Sequence, residues 1–552
     1  MGSGGEVMAS SGWSRRACLA APLALAGCGL GRGEEGYEGG WQGASHERGH
    51  LVREAAVGAA PAGSQKRCAV AIVGAGVAGL AAARALLRAG VEDIVLFELE
   101  DDAGGNSRGH QMQGMPCPQG AHYLPLPGPQ AHEVQELLHD FGLLRSVAGR
   151  TVADDRHLCH SPQERLWMDG QWTEGLLPPA AAGSARESKY RRFAQRVAAL
   201  SRELGFSVPT QRSGWTAGHA ALDGISFAQW LQQEGLDDPA LSWYLNYACR
   251  DDYGADAHAV SAWAGLHYFA SRHGFHLSGD EEQAEREAVF TWPEGNAWLT
   301  RRLAAPLANR LHTGAVVRRI EVLRHDVVLD VQRLQAPAIE RWTAQQVVVA
   351  LPLHVAARVI VSPQTALAAA AALVSHAPWL VANLHLRAPL TDKPGAPPSW
   401  DNVLYTPDSV TSGALGYVDA MHQSLRPLAG PTVLTAYWAL GDADPRQMQQ
   451  QRLALLDEPW QTWAQRVIND LARAHPDLAA KTTRVDLSRY GHAMAIPAPG
   501  VRGSAALRAL AEPTTPSRLQ LAHSDLVGYS VFEEAYTLGS HAGRAAARRL
   551  RG

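Results

Sequence analysis

A glycine-rich loop at residues 74–79 constrains the fold of this chain more than any other feature. It reads Gly-Ala-Gly-Val-Ala-Gly and lies between an apolar run at 68–73 and an Ala/Leu-rich helical pattern at 79–89. A short apolar run bounded by turn residues is typical of a buried parallel strand. A second apolar run follows at 94–97, so the sequence predicts a right-handed strand-helix-strand unit within about 30 residues.

Each glycine of this loop has a chemical reason in a dinucleotide-binding turn. Gly74 permits the tight turn, Gly76 lets the backbone approach a pyrophosphate, and Gly79 allows the helix to pack closely on the strand. The N-terminus of the helix adds free N–H groups and a positive dipole end, both of which favour bound phosphates.

Glu98 stands at the end of the second strand, 24 residues after Gly74. A carboxylate in this position accepts hydrogen bonds from both ribose hydroxyls of an adenosine. It also disfavours a 2′-phosphate, which argues against NADP. The alternative is that Glu98 belongs to a solvated acidic cluster, since residues 100–102 are acidic as well.

A glycine pair, Gly104 and Gly105, follows this acidic strand end and is typical of flavin enzymes rather than nicotinamide dehydrogenases. The run 74–109 resembles the FAD-binding N-terminal segment of the flavin-containing amine oxidase superfamily. That superfamily includes monoamine and polyamine oxidases, protoporphyrinogen oxidase and phytoene desaturase. Its usual residue after the glycine pair is Arg; here it is Asn106, with Arg108 two positions later. The resemblance therefore implies that Asn106 and Arg108 contact the cofactor.

Further segments match the same family in order, so the resemblance covers most of residues 67–552. Residues 292–296 resemble the family's Pro-x-Gly-Gly turn, with Asn296 in place of the second Gly. Residues 315–320 resemble the strand that contacts the adenine, which places Val317 at the contact position. Residues 347–352 resemble the strand that leads back to the flavin domain.

The C-terminal region resembles the family's flavin loop and the helix that follows it. The loop, at 521–525, ends in Asp525, and the helix start contains Glu534 and Ala535. The chain departs from the family at His523 and Glu534, where Gly is usual. The resemblance implies that this helix directs N–H groups at the flavin and that FAD is bound noncovalently.

The expected fold is α/β, with a Rossmann-like FAD-binding domain on a mixed parallel sheet, interleaved with an α+β substrate domain. The middle of the chain is mostly helical in pattern and dense in aromatic residues. The expected boundaries are a signal peptide with a lipobox at 1–28, a flexible linker at 29–66, FAD-binding parts at 67–130, 291–375 and 491–552, and substrate-domain parts at 131–290 and 376–490.

The resemblance implies hydride transfer to flavin N5 from a C–H bond, often one next to nitrogen. His492 and Tyr490, on a strand expected near the flavin, and Tyr529, near the last helix, are the predicted catalytic residues. Alternatively, each is a core aromatic residue or a histidine with satisfied hydrogen bonds.

Many family members place a Lys near N5, but the matching strand at 381–386 contains none. This weakens the oxidase interpretation relative to a dehydrogenase, and it leaves Asn383 and His385 as candidate replacements. Asp251 and Asp252 are candidates for binding a cationic substrate, although adjacent carboxylates more often form a solvated turn.

The composition limits which classes of binding partner are expected. The net charge of −4 gives no basic excess, so no nucleic-acid partner is expected. The six cysteines have neither CxxC pairs nor metal-ligand spacing, so no metal site is predicted. Ser14-Arg15-Arg16 followed by an apolar run that is too short to span a membrane predicts twin-arginine export. The run ends in Leu-Ala-Gly-Cys28, which resembles a lipobox and predicts a periplasmic or membrane-anchored lipoprotein.

The leading hypothesis is an FAD-dependent enzyme that oxidises an amine or polyamine, with O2 or a redox partner as electron acceptor. Two alternatives remain open from the sequence. One is a desaturase or porphyrinogen-type oxidase acting on an apolar substrate, and the other is a catalytically degenerate FAD-binding protein.

Overall fold

The computed structural model describes residues 1–2, 36–53, 65–276, 288–335, 339–407, 413–424, 429–511 and 517–551. Residues 38–552 form one unit, and Met1–Tyr37 form another. The twin-arginine segment and Cys28 lie outside the described residues, so export and lipidation stay predictions.

Strands from distant parts of the chain build two large sheets. The strands are β1 Glu38–Gln42, β2 Gln65–Val73, β3 Ile94–Phe97, β4 Gly109–Met112, β5 Met115–Pro118, β6 Tyr123–Pro125, β7 Leu144–Val147, β8 Arg150–Ala153, β9 Glu164–Met168, β10 Gln171–Glu174, β11 Val289–Thr291, β12 Leu311–His312, β13 Ala315–Val322, β14 Val327–Arg333, β15 Ile339–Val349, β16 His376–Leu386, β17 Asp401–Leu404, β18 Ala414–Asp419, β19 Thr432–Ala439, β20 Thr482–Ala495 and β21 Leu519–Leu521.

Five α-helices of the described residues lie between β10 and β11, and a 20-residue helix ends the described chain. The α-helices are α1 His46–His50, α2 Val77–Arg88, α3 His132–Asp140, α4 Ala185–Leu204, α5 Ala217–Asp223, α6 Phe227–Gln233, α7 Pro239–Tyr253, α8 Ala262–Tyr268, α9 Ala297–Ala304, α10 Leu353–Val359, α11 Thr365–Leu373, α12 Pro445–Asp457, α13 Trp460–Leu471, α14 Leu478–Lys481, α15 Ala505–Ala511 and α16 Phe532–Arg551.

The first large sheet has seven strands in the order β12-β3-β2-β15-β14-β13, with β21 beside β15. The pairs among β12, β3, β2, β15 and β21 are parallel, whereas β13 and β14 are antiparallel. Strand β3 and residues 70–73 of β2 are buried, which explains why they are continuous apolar runs. The mixed parallel sheet expected from the sequence is confirmed.

The second large sheet has eight strands in the order β1-β20-β16-β19-β18-β17-β9-β10. Most neighbours are antiparallel, but β17 runs parallel to β9 and β1 runs parallel to β20. The strands β9 and β10 come from 131–290, a region whose pattern predicts mostly helix. The long strand β20 runs without interruption through residues 490 and 491, between which a domain boundary was expected.

The expected flexible linker is wrong for residues 38–53. Strand β1 pairs with β20 from Glu38 to Gln42, and the guanidinium of Arg489 lies 4.4 Å from the Trp41 ring centroid. Ser45 caps α1, and its backbone N–H donates to Glu100. Backbone pairing at the sheet edge holds this strand, so the Gly-rich segment does not need an alternating apolar pattern.

Within the described ranges, the structure contains no helix that combines the length and the apolar character required to cross a bilayer.

Candidate active site

The glycine loop and the end of β3 are tied together by backbone and carboxylate hydrogen bonds. Gly74 N–H donates to Phe97 O at 2.8 Å. The buried Glu98 carboxylate accepts from Ala75 N–H at 2.9 Å and from Glu100 N–H at 3.0 Å. Burial raises the pKa of Glu98, and these two N–H groups oppose the rise. Glu98 therefore lies beside the loop, as the fingerprint requires, and is not part of a solvated cluster.

The two glycine loops approach each other at Gly76, which bridges to Gly104. Gly76 has ordinary extended backbone, and a Cβ added there would meet only Gly105, at 3.7 Å. Neither strain nor a clash within the protein therefore explains a glycine at this position. Gly76 is the N-cap residue of α2. Because it has no side chain, it leaves the N–H groups of the first turn without a side-chain hydrogen bond. Both features fit the phosphates of a bound dinucleotide.

At the neighbouring glycines, contacts and backbone angles within the protein explain why the residue is glycine. A Cβ at Gly79 would lie 1.9 Å from Gly74 O, so only glycine allows α2 to approach the loop. Gly104 has a φ of +130°, and its N–H donates to Ala75 O at 2.8 Å. This bond joins the pair Gly104 and Gly105 to the glycine loop at 74–79.

The other residues expected at the cofactor lie around these loops. Arg108 is buried and its Nε–H donates to Gly105 O at 3.1 Å, while the Asn106 amide donates to Ala493 O at 2.6 Å. Val317 lies on β13 where the pairing with β14 shifts between Val317 and Arg319. This bulge interrupts the regular ladder at the position expected to contact adenine.

The C-terminal residues expected at the cofactor are held by protein groups. Asp525 is fully buried and accepts hydrogen bonds from Leu353 N–H and from His376, both at 2.9 Å. Glu534 is also fully buried and accepts from Thr210 N–H at 2.6 Å and from the Tyr529 hydroxyl at 2.9 Å. Ala535 lies in the first turn of α16.

Residues 118–123 connect the two sheets near the glycine loops. From the eight-stranded sheet, three side chains donate to carbonyls of this segment: Asn383 to Pro118, Tyr490 to Gln119 and Tyr437 to Gly120. From the other side, Ala121 N–H donates to Asn106 O, and the Asn296 amide donates to Tyr123 O. The segment therefore places His122 and Tyr123 next to the loop that carries Asn106.

Beyond this segment lies a group of carboxyls among aromatic rings. Glu164 on β9 and Asp401 on β17 are direct partners across a parallel strand pair, and Asp251 comes from α7. The Tyr123 hydroxyl lies 3.4 Å from Asp251 Oδ2. Each of the three carboxyl residues is partly accessible, and we refer to the space that they and the surrounding rings border as the cavity.

Aromatic residues form much of the wall of this cavity. The rings of His122 and Tyr437 stack at 4.4 Å, and Trp400 lies 5.4 Å from His122 and 6.0 Å from Tyr123. Burial lowers the pKa of His122 to about 3, so its imidazole is neutral at physiological pH. The part of the wall that these rings form is therefore aromatic and uncharged.

The protonation of these carboxyls follows from their surroundings. Burial raises the pKa of Glu164 to about 7, and burial together with the neighbouring Asp252 and Glu164 raises that of Asp251 to about 7. Burial, then Asp251 and Glu164, raise the pKa of Asp401 well above its usual value. Such a cluster favours any guest that brings positive charge.

A family model described as flavin-containing amine oxidoreductase matches residues 77–550. The chain belongs to this family.

Individual relatives of the amine oxidoreductase chain are distant. A provisionally named flavin-containing monoamine oxidase of Mycobacterium tuberculosis is 28% identical over 289 residues, which is 51% of this chain and 56% of that protein. An L-amino acid dehydrogenase of Synechocystis is 24% identical over 299 residues, 54% of this chain and 58% of the relative. The matched region thus spans little more than half the length of these relatives.

The fold also resembles a solved structure of putrescine oxidase with putrescine bound. The TM-score is 0.61 at 18% identity, and the match covers 88% of this chain and all of the other. At this identity the likeness concerns the fold. The family's flavin suits the two glycine loops, since Gly76 has no reason within the protein to be glycine, and it suits Glu98, which stands beside them.

The predicted catalytic residues of this amine oxidoreductase lie in three separate settings. Tyr490 anchors residues 118–123, and Tyr529 is fully buried with its hydroxyl on Glu534. His492 is exposed, and its ring lies 4.9 Å from that of His354. Tyr529 therefore matches the alternative of a core aromatic residue, and catalysis by Tyr490 and His492 stays a prediction.

The remaining candidate residues differ in what their side chains contact. Asn383 is buried, donates to Pro118 and accepts from Thr435, so it joins the eight-stranded sheet to the start of residues 118–123. His385 lies 2.5 Å from the Thr483 hydroxyl. Asp251 faces the cavity, whereas Asp252 forms a buried ion pair with Arg272, so the adjacent acids do not form a solvated turn.

Sequence reasoning missed most of the cavity. Glu164, Asp401, Tyr123 and Tyr437 are far apart in the chain, and no motif connects them. The one available signal is that Asp251 lies in the aromatic-rich region.

Proposed function

We propose that this protein is an FAD-dependent oxidoreductase that oxidises a cationic amine, with a diamine or polyamine favoured over a monoamine. The observation that carries the proposal is the aromatic cavity with Glu164, Asp251 and Asp401, adjacent to the segment that contacts Asn106. Noncovalent FAD is part of the proposal and is supported by the two glycine loops and Glu98.

The carboxyls suit a substrate that carries more than one ammonium group. Buried carboxyls that repel one another are costly when ionised, and a bound cation offsets that cost. Aromatic faces such as those of Tyr123 and Trp400 add attraction for a cationic nitrogen and for its methylene chain. A neutral, apolar substrate would bring no positive charge to offset the charge of these acids.

The same residues can prepare an amine for oxidation. FAD, when bound, supplies the acceptor for the hydride that leaves a C–H bond next to nitrogen. That nitrogen must first lose its proton, and a carboxylate whose pKa is raised to about 7 accepts a proton more readily than an ordinary one. We assign this role to Asp251, and we assign to Glu164 and Asp401 the binding of a second, still protonated, nitrogen.

Anaerobic reduction of the flavin tests the proposal. We expect 1,4-diaminobutane to bleach the flavin absorbance, n-butylamine to do so at higher concentration, and 1,4-butanediol to have no effect. Bleaching by an apolar polyene but by none of the amines would contradict the proposal, as would failure of every donor in photoreducible protein. Hydrogen peroxide release in air then separates an oxidase from a dehydrogenase that needs a redox partner.

A matched pair of variants locates the binding site. Glu164 and Glu174 lie on the two strands of one hairpin, and Glu174 is exposed. We expect Glu164→Gln to raise KM for the diamine at least about tenfold, as the loss of a charge-assisted contact predicts. Glu174→Gln should leave KM unchanged. Equal KM values for the two variants would contradict the placement of the substrate.

We also propose twin-arginine export with lipidation at Cys28, supported by the arginine pair and the Leu-Ala-Gly-Cys sequence. Export of a folded protein suits a flavoprotein that must bind its cofactor first. Cys28→Ala should move the protein from the membrane to the soluble fraction, whereas Cys18→Ala should not. Membrane attachment of the Cys28→Ala protein would contradict lipidation.

A further inference from the structure

A cluster of histidines around a buried carboxylate lies at the C-terminal ends of β15 and β21. His354 is on α10, which follows β15, and Asp525 follows β21. His376 begins β16 of the other sheet. One potential ligand atom from each of these three residues lies within 4.8 Å of the others.

We propose that His354, His376 and Asp525 bind a divalent transition-metal ion of the zinc class. This site goes beyond the proposed amine oxidation and does not depend on it.

The chemistry of the donors selects the ion. Two imidazole nitrogens and one carboxylate oxygen suit zinc and its late first-row neighbours, whereas Mg2+ and Ca2+ prefer oxygen ligands alone. Ligands of a tetrahedral zinc ion lie about 2.0–2.3 Å from the metal, so their donor atoms are roughly 3.3 Å apart. A separation of at most 4.8 Å requires only small side-chain rotations to close on an ion.

One of the potential ligands has a polar atom without a hydrogen-bond partner among the described residues. His354 Nδ1 is buried and unpartnered, whereas Oδ1 of the fully buried Asp525 lies 3.2 Å from His523 Nδ1. A buried imidazole nitrogen without a hydrogen bond is costly, and a metal ion would satisfy it. The other Asp525 oxygen is oriented by Leu353 N–H, in the manner of outer-shell bonds that orient metal ligands.

Access also favours an ion. His354 is only partly buried, and exposed His492 lies beside it, with ring centroids 4.9 Å apart, so the cluster reaches solvent.

Zinc binding to the flavin-loaded protein tests the proposal. The protein is treated with EDTA, titrated with Zn2+ by calorimetry, and analysed for retained metal by mass spectrometry. We expect one zinc ion per chain, and a cobalt-substituted protein should show d–d absorption bands of an ion with nitrogen ligands.

Variants separate this site from surface binding. His354→Ala and His376→Gln should each weaken Zn2+ binding at least about tenfold while the circular dichroism spectrum stays that of the parent. The matched control is His258→Ala, since His258 faces Asp256 at 3.6 Å in a simple surface pair. Absence of stoichiometric zinc, equal affinity in the His354→Ala protein, or uptake confined to the flavin-free protein would overturn the proposal.

Discussion

Glu164 and Asp401 are direct partners on the parallel strands β9 and β17, so two carboxyl groups share one wall of the cavity. Paired residues on adjacent strands project to the same face of a sheet. Asp251, from α7, adds a third carboxyl whose charge raises the pKa of Asp401 after the larger effect of burial. This arrangement makes recognition of a cation depend on pH.

The first prediction concerns that pH dependence. The pKa values of Glu164 and Asp251 are raised to about 7, so below this pH both groups are largely protonated and uncharged. We expect kcat/KM for 1,4-diaminobutane to rise as the pH increases through about 7, where the carboxylates form and attract the ammonium groups. Steady-state kinetics between pH 5.5 and 8.5, roughly one and a half units on either side, measure the profile.

Asp251→Asn provides the control for this profile. It removes one of the two carboxyls whose pKa is raised to about 7, so the rise in kcat/KM should become shallower. The maximal value should fall about tenfold or more with the loss of the proton acceptor. A profile of unchanged shape and position would exclude these carboxyls as its origin.

The second prediction separates cofactor binding from folding within one glycine loop. Gly76 has backbone angles that alanine adopts freely, and the added Cβ would project into the space between the loops. Gly76→Ala should therefore keep the stability of the flavin-free protein and weaken FAD binding at least about tenfold. Urea unfolding of the flavin-free protein and fluorescence titration with FAD measure the two quantities.

Gly79→Ala, in contrast, should lower the stability of the protein. Its Cβ would overlap Gly74 O, so α2 must move away from the loop. We expect a loss of about 1–3 kcal/mol in the free energy of unfolding, because closely packed backbone cannot accept an extra methyl group. If Gly76→Ala bound FAD like the parent, the diphosphate would not lie between the two glycine loops.

The third prediction concerns Glu98. Substitution by Gln keeps the size of the side chain but removes the charge that strengthens hydrogen bonds to ribose hydroxyls. We expect Glu98→Gln to weaken FAD binding by about 10- to 100-fold, the effect of one charge-assisted hydrogen bond. Glu92→Gln, an exposed glutamate just before the same strand, is the control and should bind FAD normally. Equal affinities for the two variants would remove Glu98 from the ribose site.

The nucleotide-binding half was predictable because its signals are local. The apolar runs at β2 and β3 and the glycines between them lie within about 30 residues, and backbone geometry allows few alternatives. Helices α2 and α16 and strands β13 and β14 likewise have patterns that depend on their own sequence. Strand β1 escaped prediction because pairing with β20, rather than its side chains, keeps it in place.

The cavity and the histidine cluster were not predictable from the sequence. Glu164 and Asp401 become neighbours only through the parallel pairing of β9 with β17, which no local pattern specifies. His354, His376 and Asp525 come from a helix, a strand and a loop, so the short spacings that usually indicate metal ligands are absent. Tyr490 is on the predicted strand, but its hydroxyl binds Gln119, a contact that only the packing of the two sheets determines.

The last prediction concerns a buried ion network at the start of α16. The π-helical turn Phe269–His273 carries Arg272, whose Nη1 lies 2.9 Å from Asp252 and whose Nη2 lies 3.4 Å from Glu533. Burial opposes the charge of Arg272, but Glu533 and Asp252 together raise its pKa above the usual value. Arg272→Met would leave two buried carboxyls without their cation.

We expect Arg272→Met to lose about 3–5 kcal/mol in the free energy of unfolding, the usual cost of removing one partner of a buried ion pair. Burial raises the pKa of Asp252 and Arg272 opposes this rise, so without the arginine the pKa of Asp252 should be still higher in the folded than in the unfolded state. The folded variant then binds more protons, so its deficit should grow as the pH rises from about 5 to 8.

Urea unfolding at several pH values measures this deficit, and Arg301→Met is the matched control. Arg301 is half exposed and lies 3.9 Å from Glu294, so its loss should cost at most about 1 kcal/mol at every pH. Adding Glu533→Gln to Arg272→Met should restore part of the stability, because one of the two unpaired charges is then absent. A deficit no larger than that of Arg301→Met, without pH dependence, would show that the network does not stabilise the start of α16.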